Sequence, residues 1–186
     1  MRSHAFVTAT DIEVWANYRV AQEDLPRLIR RLVHATATGV RRAGFRAGEG
    51  VQLPGWDGNI LVDQGSSFVP SGASAWELGS GLDPDEKANE DYRKRSENPL
   101  GLDPADSTFV FVTARRWRGR DNWERGRQAE DRWRSVRAFD ADSLEEWLDL
   151  APAVHTWFSI LAGKQPEDVV DIESLWADWS QTTRPV

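Results

Sequence analysis

The sequence predicts a mixed α/β domain with a helical C-terminal portion. Three observations carry that expectation. Leu25, Leu28, Ile29, Leu32 and Val33 repeat at helical spacing. Thr108-Phe109-Val110-Phe111-Val112-Thr113 is apolar on both faces, as a central strand covered on both sides should be. After Phe139 the pattern turns helical and stays so.

Taken in order, Thr10-Asp11-Ile12-Glu13 reads as a capping box opening a short helix through Trp15 and Tyr18. Asp24 is the expected cap of a stronger helix, with Arg27, Arg30, Arg31 and His34 opposite its apolar stripe and Gly39 as its stop. Gly48, Gly50 and Pro54-Gly55 mark a loop. Strands are expected over Trp56 to Val62 and Ser74 to Leu78, parted by glycine, serine and proline. Asp83 caps the next helix, with Pro84 at its first position and Glu86 at its third; Asn98-Pro99 ends it. A short charged helix is expected within Asn122 to Arg134, and a strand over Ser135 to Phe139. Helices should then begin at Asp142, at Pro152 and at Asp171, the last aligning Ile172, Leu175, Trp176 and Trp179. The expectation is one domain over 1–186, with a core of about 22–140 and C-terminal helices over about 141–182.

Composition narrows the chemistry. The chain has 186 residues, a net charge of −7, three histidines and no cysteine. Thiolate metal sites, thiol nucleophiles and disulfide frameworks are excluded, and His-based catalysis has little material. With no apolar run of membrane-spanning length and no signal-peptide core, a cytoplasmic location is expected. The charge is segregated: residues 1–46 carry +4, 47–114 carry −8, 115–137 carry +5 and 138–186 carry −8. Arginine supplies most of the positive charge, and its planar fork suits phosphate oxygens.

What remains is carboxylate chemistry. Gly55-Trp56-Asp57-Gly58 sets an acid between glycines at the head of a strand, and Ala75-Trp76-Glu77-Leu78 sets another within a strand. Alternation puts Trp76 and Leu78 on one face and Glu77 on the other. A carboxylate among apolar strand residues needs a cation, a basic partner or solvent. Lys87, in the first turn of the following helix, is the basic partner within reach. Two hard carboxylates and a lysine match a Mg²⁺ (or Mn²⁺) site acting on phosphate esters. The plainer alternatives are an Asp57-Gly58 turn, an arginine salt bridge to Glu77 and an i, i+4 pair of Lys87 with Asp91. Glu49 and Gln52 read as loop residues, and Tyr92 and Arg95 as packing and solvated-face residues. Most tryptophans read as core. Trp117 and Trp123, interleaved with Arg115, Arg116, Arg118, Arg120 and Arg125, are the expected nucleic-acid surface.

This order (helix, strand with Asp57, strand with Glu77, helix, strand) resembles the PD-(D/E)xK, or restriction-endonuclease-like, nucleases. The resemblance implies Asp57 and Glu77 as metal ligands. The family's lysine normally stands two residues after the glutamate, where this chain has Gly79. Members with the lysine moved to the next helix imply Lys87 as its replacement. The chain also resembles uncharacterised bacterial N-terminal effector domains across nearly its whole length, through Asp11-Ile12-Glu13-Val14-Trp15-Ala16, Gly55-Trp56-Asp57-Gly58, Phe68 to Glu77 and Lys87 to Arg95. That resemblance implies a role in anti-phage or restriction defence, with DNA, a second copy of the chain and a fused regulatory NTPase region as partners. The activity implied is a Mg²⁺-dependent DNA endonuclease; the alternatives are an inactive recognition module on the same fold and an effector acting on nucleotides or RNA.

Overall fold

The computed structural model describes residues 6–46 and 55–164, together with Trp176 and Trp179. Helices α1 (Ala9–Trp15) and α2 (Val20–Thr36) lead into strands β1 (Thr38–Phe45), β2 (Gly58–Gln64) and β3 (Gly72–Gly79). Helix α3 (Pro84–Glu97), strand β4 (Ser107–Thr113), helix α4 (Arg120–Ala129) and strand β5 (Ser135–Phe139) follow. Helices α5 (Ala141–Asp149) and α6 (Pro152–Leu161) close the described chain.

The five strands form one mixed sheet in sequence order. Antiparallel pairing joins β1 to β2 and β2 to β3, whereas β3, β4 and β5 run parallel. Parallel neighbours need crossovers, and α3 and α4 supply them on one face of the sheet. There Ala88 and Tyr92 of α3 and Trp123 of α4 pack with Trp56, Ala75, Phe109 and Phe111. Ile60, Val62, Trp76, Val110, Val112 and Phe139 of the opposite face pack with α1, α2, α5 and α6. β4, buried at every position, is the central strand its composition predicts.

Several boundaries differ from the sequence reading. The box that opens α1 is Thr8 with Asp11, two residues earlier than expected. Asp24 does not cap α2; it lies within the helix, buried and paired to Arg27 at 2.9 Å. α2 starts at Val20 with no side-chain cap and accommodates Pro26 in its interior. β1 was not expected, because exposed Arg41 and Arg42 break any apolar alternation. The segment that should have ended α2 at Gly39 instead belongs to that strand, with Gly39 at φ +67°. α4 begins at Arg120 and ends at Ala129, ahead of the expected span. The loop over Gly48 to Pro54 and the helix expected from Asp171 lie outside the described residues, apart from Trp176 and Trp179.

Candidate active site

Asp57, Glu77 and Lys87 come together where β2 begins and β3 ends, beneath the N-terminal half of α3. β2 and β3 are antiparallel, with Gly58 opposite Trp76, so the residues just before β2 sit beside the end of β3. The Leu78 N–H donates to Asp57 Oδ2 at 2.9 Å, which ties the first acid to the residue after the second. The next residue faces the other way: the Gly79 carbonyl accepts from Ala114 N–H on the β4 side. In an extended residue N–H and C=O share an edge, so the Leu78 carbonyl is directed to the same side as Asp57.

Glu77 is 3% exposed and carries the most perturbed carboxyl of the site. Burial, then the charges of Asp57 and Asp91, push it up to about 8 against the opposing Arg95 guanidinium. Arg95 Nε donates to Glu77 Oε1, while its terminal nitrogen donates to the Gly55 carbonyl, two residues before Asp57. Its guanidinium also lies over the Trp56 ring, 4.9 Å from the centroid. One arginine therefore holds both strand segments that carry the acids. Arg95 was expected to be solvated; burial of Trp56 and Glu77 beneath it turns it inward.

Lys87 makes the i, i+4 pair with Asp91, Nζ to Oδ1 at 2.8 Å. It also lies within range of the Glu77 charge. Burial by itself would lower its pKa, but the Asp91 hydrogen bond and the charges of Asp91, Glu77 and Glu90 outweigh this and raise it. Its stem passes over Gly79: a Cβ there would meet Lys87 Cγ at 3.4 Å and Phe111 Cζ at 3.3 Å. The missing side chain at Gly79 thus leaves the space that the Lys87 stem crosses.

Asp57, Glu77 and Asp91 therefore lie within electrostatic range of one another, with Arg95 against Glu77 and Lys87 against Asp91. Asp91, 3% exposed, has its pKa raised by burial and by the Asp57 charge, against Lys87. Its Oδ2 is solvent-excluded and has no hydrogen-bond partner among the described residues. Among the described residues no group of three or more His, Asp or Glu side chains stands ready to enclose a metal ion. Asp57 and Glu77 form a pair of acids within electrostatic range, the first tied to the Leu78 N–H. Glu49 and Gln52 lie outside the described residues.

The arginine segment is differently built than its composition suggests. Arg115 is spent on the Ser80, Glu13 and Ala16 carbonyls and the Asn17 side chain. Arg116 pairs with Glu13 and Asp142, and Arg120 with Asp121 and Asp140. Arg118 has no hydrogen-bond or ion-pair partner among the described residues. It lines, with Arg120, a cavity of about 430 Å³ shared with Asp121, Glu124, Asp142 and Glu146. Trp117 and Trp123 are not a stacking platform. Both are under a tenth exposed, and their ring nitrogens donate to Asp85 and Asn89 of α3.

The i, i+4 pair of Lys87 with Asp91, the plainer alternative in the sequence reading, is present; the burial of Asp91 and the inward role of Arg95 escaped that reading. The signal was the spacing Lys87, Asp91, Arg95, one side chain per turn on the helix face that meets Glu77. Comparisons with protein-family models, with curated proteins and with solved structures find no match. No described helix is long and apolar enough to cross a membrane.

Proposed function

We propose that the chain is a metal-dependent phosphodiesterase, a DNA endonuclease effector domain of bacterial anti-phage or restriction defence, on a restriction-endonuclease-like core. The observation that carries this reading is the convergence of Asp57, Glu77 and Lys87, distant in sequence, at one strand end. Asp57 and Glu77, with the Leu78 carbonyl, are the groups that would hold Mg²⁺ or Mn²⁺. The bound ion supplies charge neutralisation at the scissile phosphate and a water of lowered pKa. Asp57 is oriented by the Leu78 N–H, and Glu77 by Arg95. Lys87, kept protonated by its carboxylate neighbours, offers an ammonium to a phosphate oxygen beside the pair. Of Arg115, Arg116, Arg118 and Arg120, expected to grip nucleic acid, Arg118 is the one without a partner among the described residues, and it is the cation left for a backbone phosphate.

Wild-type protein with supercoiled plasmid and Mg²⁺ should linearise or nick it, and Asp57→Ala and Glu77→Ala should abolish that cleavage. Equal activity in both variants would overturn the site. Parallel RNA and nucleotide substrates separate a DNA enzyme from an effector acting on those molecules.

One observation favours a second reading, an inactive recognition module. Arg95 already neutralises one Glu77 oxygen, as a structural ion pair would. Absence of any Mn²⁺ binding by calorimetry in the folded wild type would select it.

A further inference from the structure

We propose that Asp91 is a positioning residue of this site, fixing where the Lys87 ammonium stands. The proposal rests on the nuclease reading for its catalytic consequence, but its geometry is independent of that reading.

A lysine stem has four rotatable bonds, and Lys87 is 44% exposed at its side chain, so nothing in its own packing confines the ammonium. Asp91, one turn further along α3, supplies the confinement through the 2.8 Å contact to Nζ. An ordinary helix-surface pair keeps both partners in water, at no desolvation cost. Here the acid is buried at 3% exposure, and its second oxygen is shut off from solvent with no hydrogen-bond partner among the described residues. Burying a carboxylate in this way costs free energy that the surface pair does not require. The return is a fixed position: an anchored acid holds a mobile base.

Partner choice points the same way. Arg95 stands one turn beyond Asp91, at the same i, i+4 spacing as Lys87, yet donates to Glu77 and the Gly55 carbonyl instead. Asp91 is left to Lys87. Held there, the stem lies against the place a Gly79 Cβ would take, on the face of β3 that also bears Glu77. The ammonium itself contacts Asp91, and the charges of Glu77 on β3 and Glu90 on the same helix act on it from within electrostatic range.

The chain contains three lysines, Lys87, Lys94 and Lys164, so competitive acetylation read by mass spectrometry reports Lys87 against two internal references. Asp91→Asn, nearly isosteric, should raise Lys87 labelling several-fold relative to Lys94. Asp91→Glu should restore much of the protection. In the same Asp91→Asn protein, Mn²⁺ affinity measured by calorimetry should be unchanged while plasmid cleavage falls at least several-fold. Unchanged Lys87 labelling in Asp91→Asn overturns the proposal whether or not the wild type cleaves DNA. Loss of Mn²⁺ affinity in that variant also overturns it, because Asp91 would then be a ligand. The labelling arm needs no activity, so failure of the nuclease reading and failure of this one are distinguishable.

Discussion

Arg95 and Glu77, eighteen residues apart in the chain, form an ion pair in which both side chains are buried. Removing one partner of such a pair leaves an uncompensated charge in a low-dielectric setting. Arg95→Met should cost about 3–5 kcal/mol in urea unfolding at about pH 9, where Glu77 is ionised, and less at about pH 6, where it is protonated. Arg95→Lys should recover little, because one ammonium cannot serve Glu77 and the Gly55 carbonyl as the guanidinium fork does.

The pH dependence of stability should carry the mark of Glu77. Its carboxyl titrates near 8 in the folded chain, above its ordinary value of 4.5. Between those values the folded state binds more protons than the unfolded, so metal-free stability falls as pH rises from about 5 to 8. Glu77→Gln should flatten that part of the thermal-unfolding profile. If Asp57 and Glu77 hold Mn²⁺, saturating Mn²⁺ should raise the wild-type melting temperature more at pH 8.5 than at pH 6, because protons compete for Glu77.

His155 should act in the opposite sense. It is buried and accepts the Val7 N–H at Nε2, 3.0 Å away. Burial lowers its pKa below 6.5, against the pull of Asp149. Its contribution is therefore present above the ordinary histidine range and lost as pH falls below it. Wild type should lose more stability between pH 7 and pH 5 than His155→Gln, when both are followed by circular dichroism.

Gly79 tests a steric rather than a conformational role. Its φ lies outside the left-handed region, so alanine meets no backbone penalty. The added methyl meets Phe111, rigid in the core, and the Lys87 stem, which can yield. Gly79→Ala should cost about 1 kcal/mol in stability. It should also displace Lys87, seen as faster acetylation of that lysine.

Trp123 separates core from binding surface. Trp123→Ala should cost about 3–5 kcal/mol, the range for emptying a large aromatic site. The fluorescence difference between wild type and Trp123→Phe should be unmoved by single-stranded DNA, since the ring is packed against Tyr92 and Trp117.

The layer order and most elements were legible because each carried a local signal. α3 announced itself through Asp83, Pro84 and Asn98, and β4 through unbroken apolarity. β1 was not legible: its pairing with β2 is tertiary, and half of its eight residues are glycine or arginine. In the site, Asp57 and Glu77 stood out as acids in strand-like surroundings. Arg95 did not, because an arginine on a charged helix reads as solvated until Trp56 and Glu77 are known to lie beneath it. The arginines after β4 misled for the converse reason. Charge density in sequence says nothing about which carbonyls and carboxylates will consume it.

β1 has one further consequence, for self-association. Among the described residues it pairs with β2 alone, so its far side offers a row of backbone groups on which another strand could grow. Gly39 at φ +67°, the register shift between Val40 and Arg42, and the paired charges of Arg41 and Asp63 all spoil that template. The irregularity that hid the strand from a pattern search is thus also what discourages copies of the chain from zipping together along it.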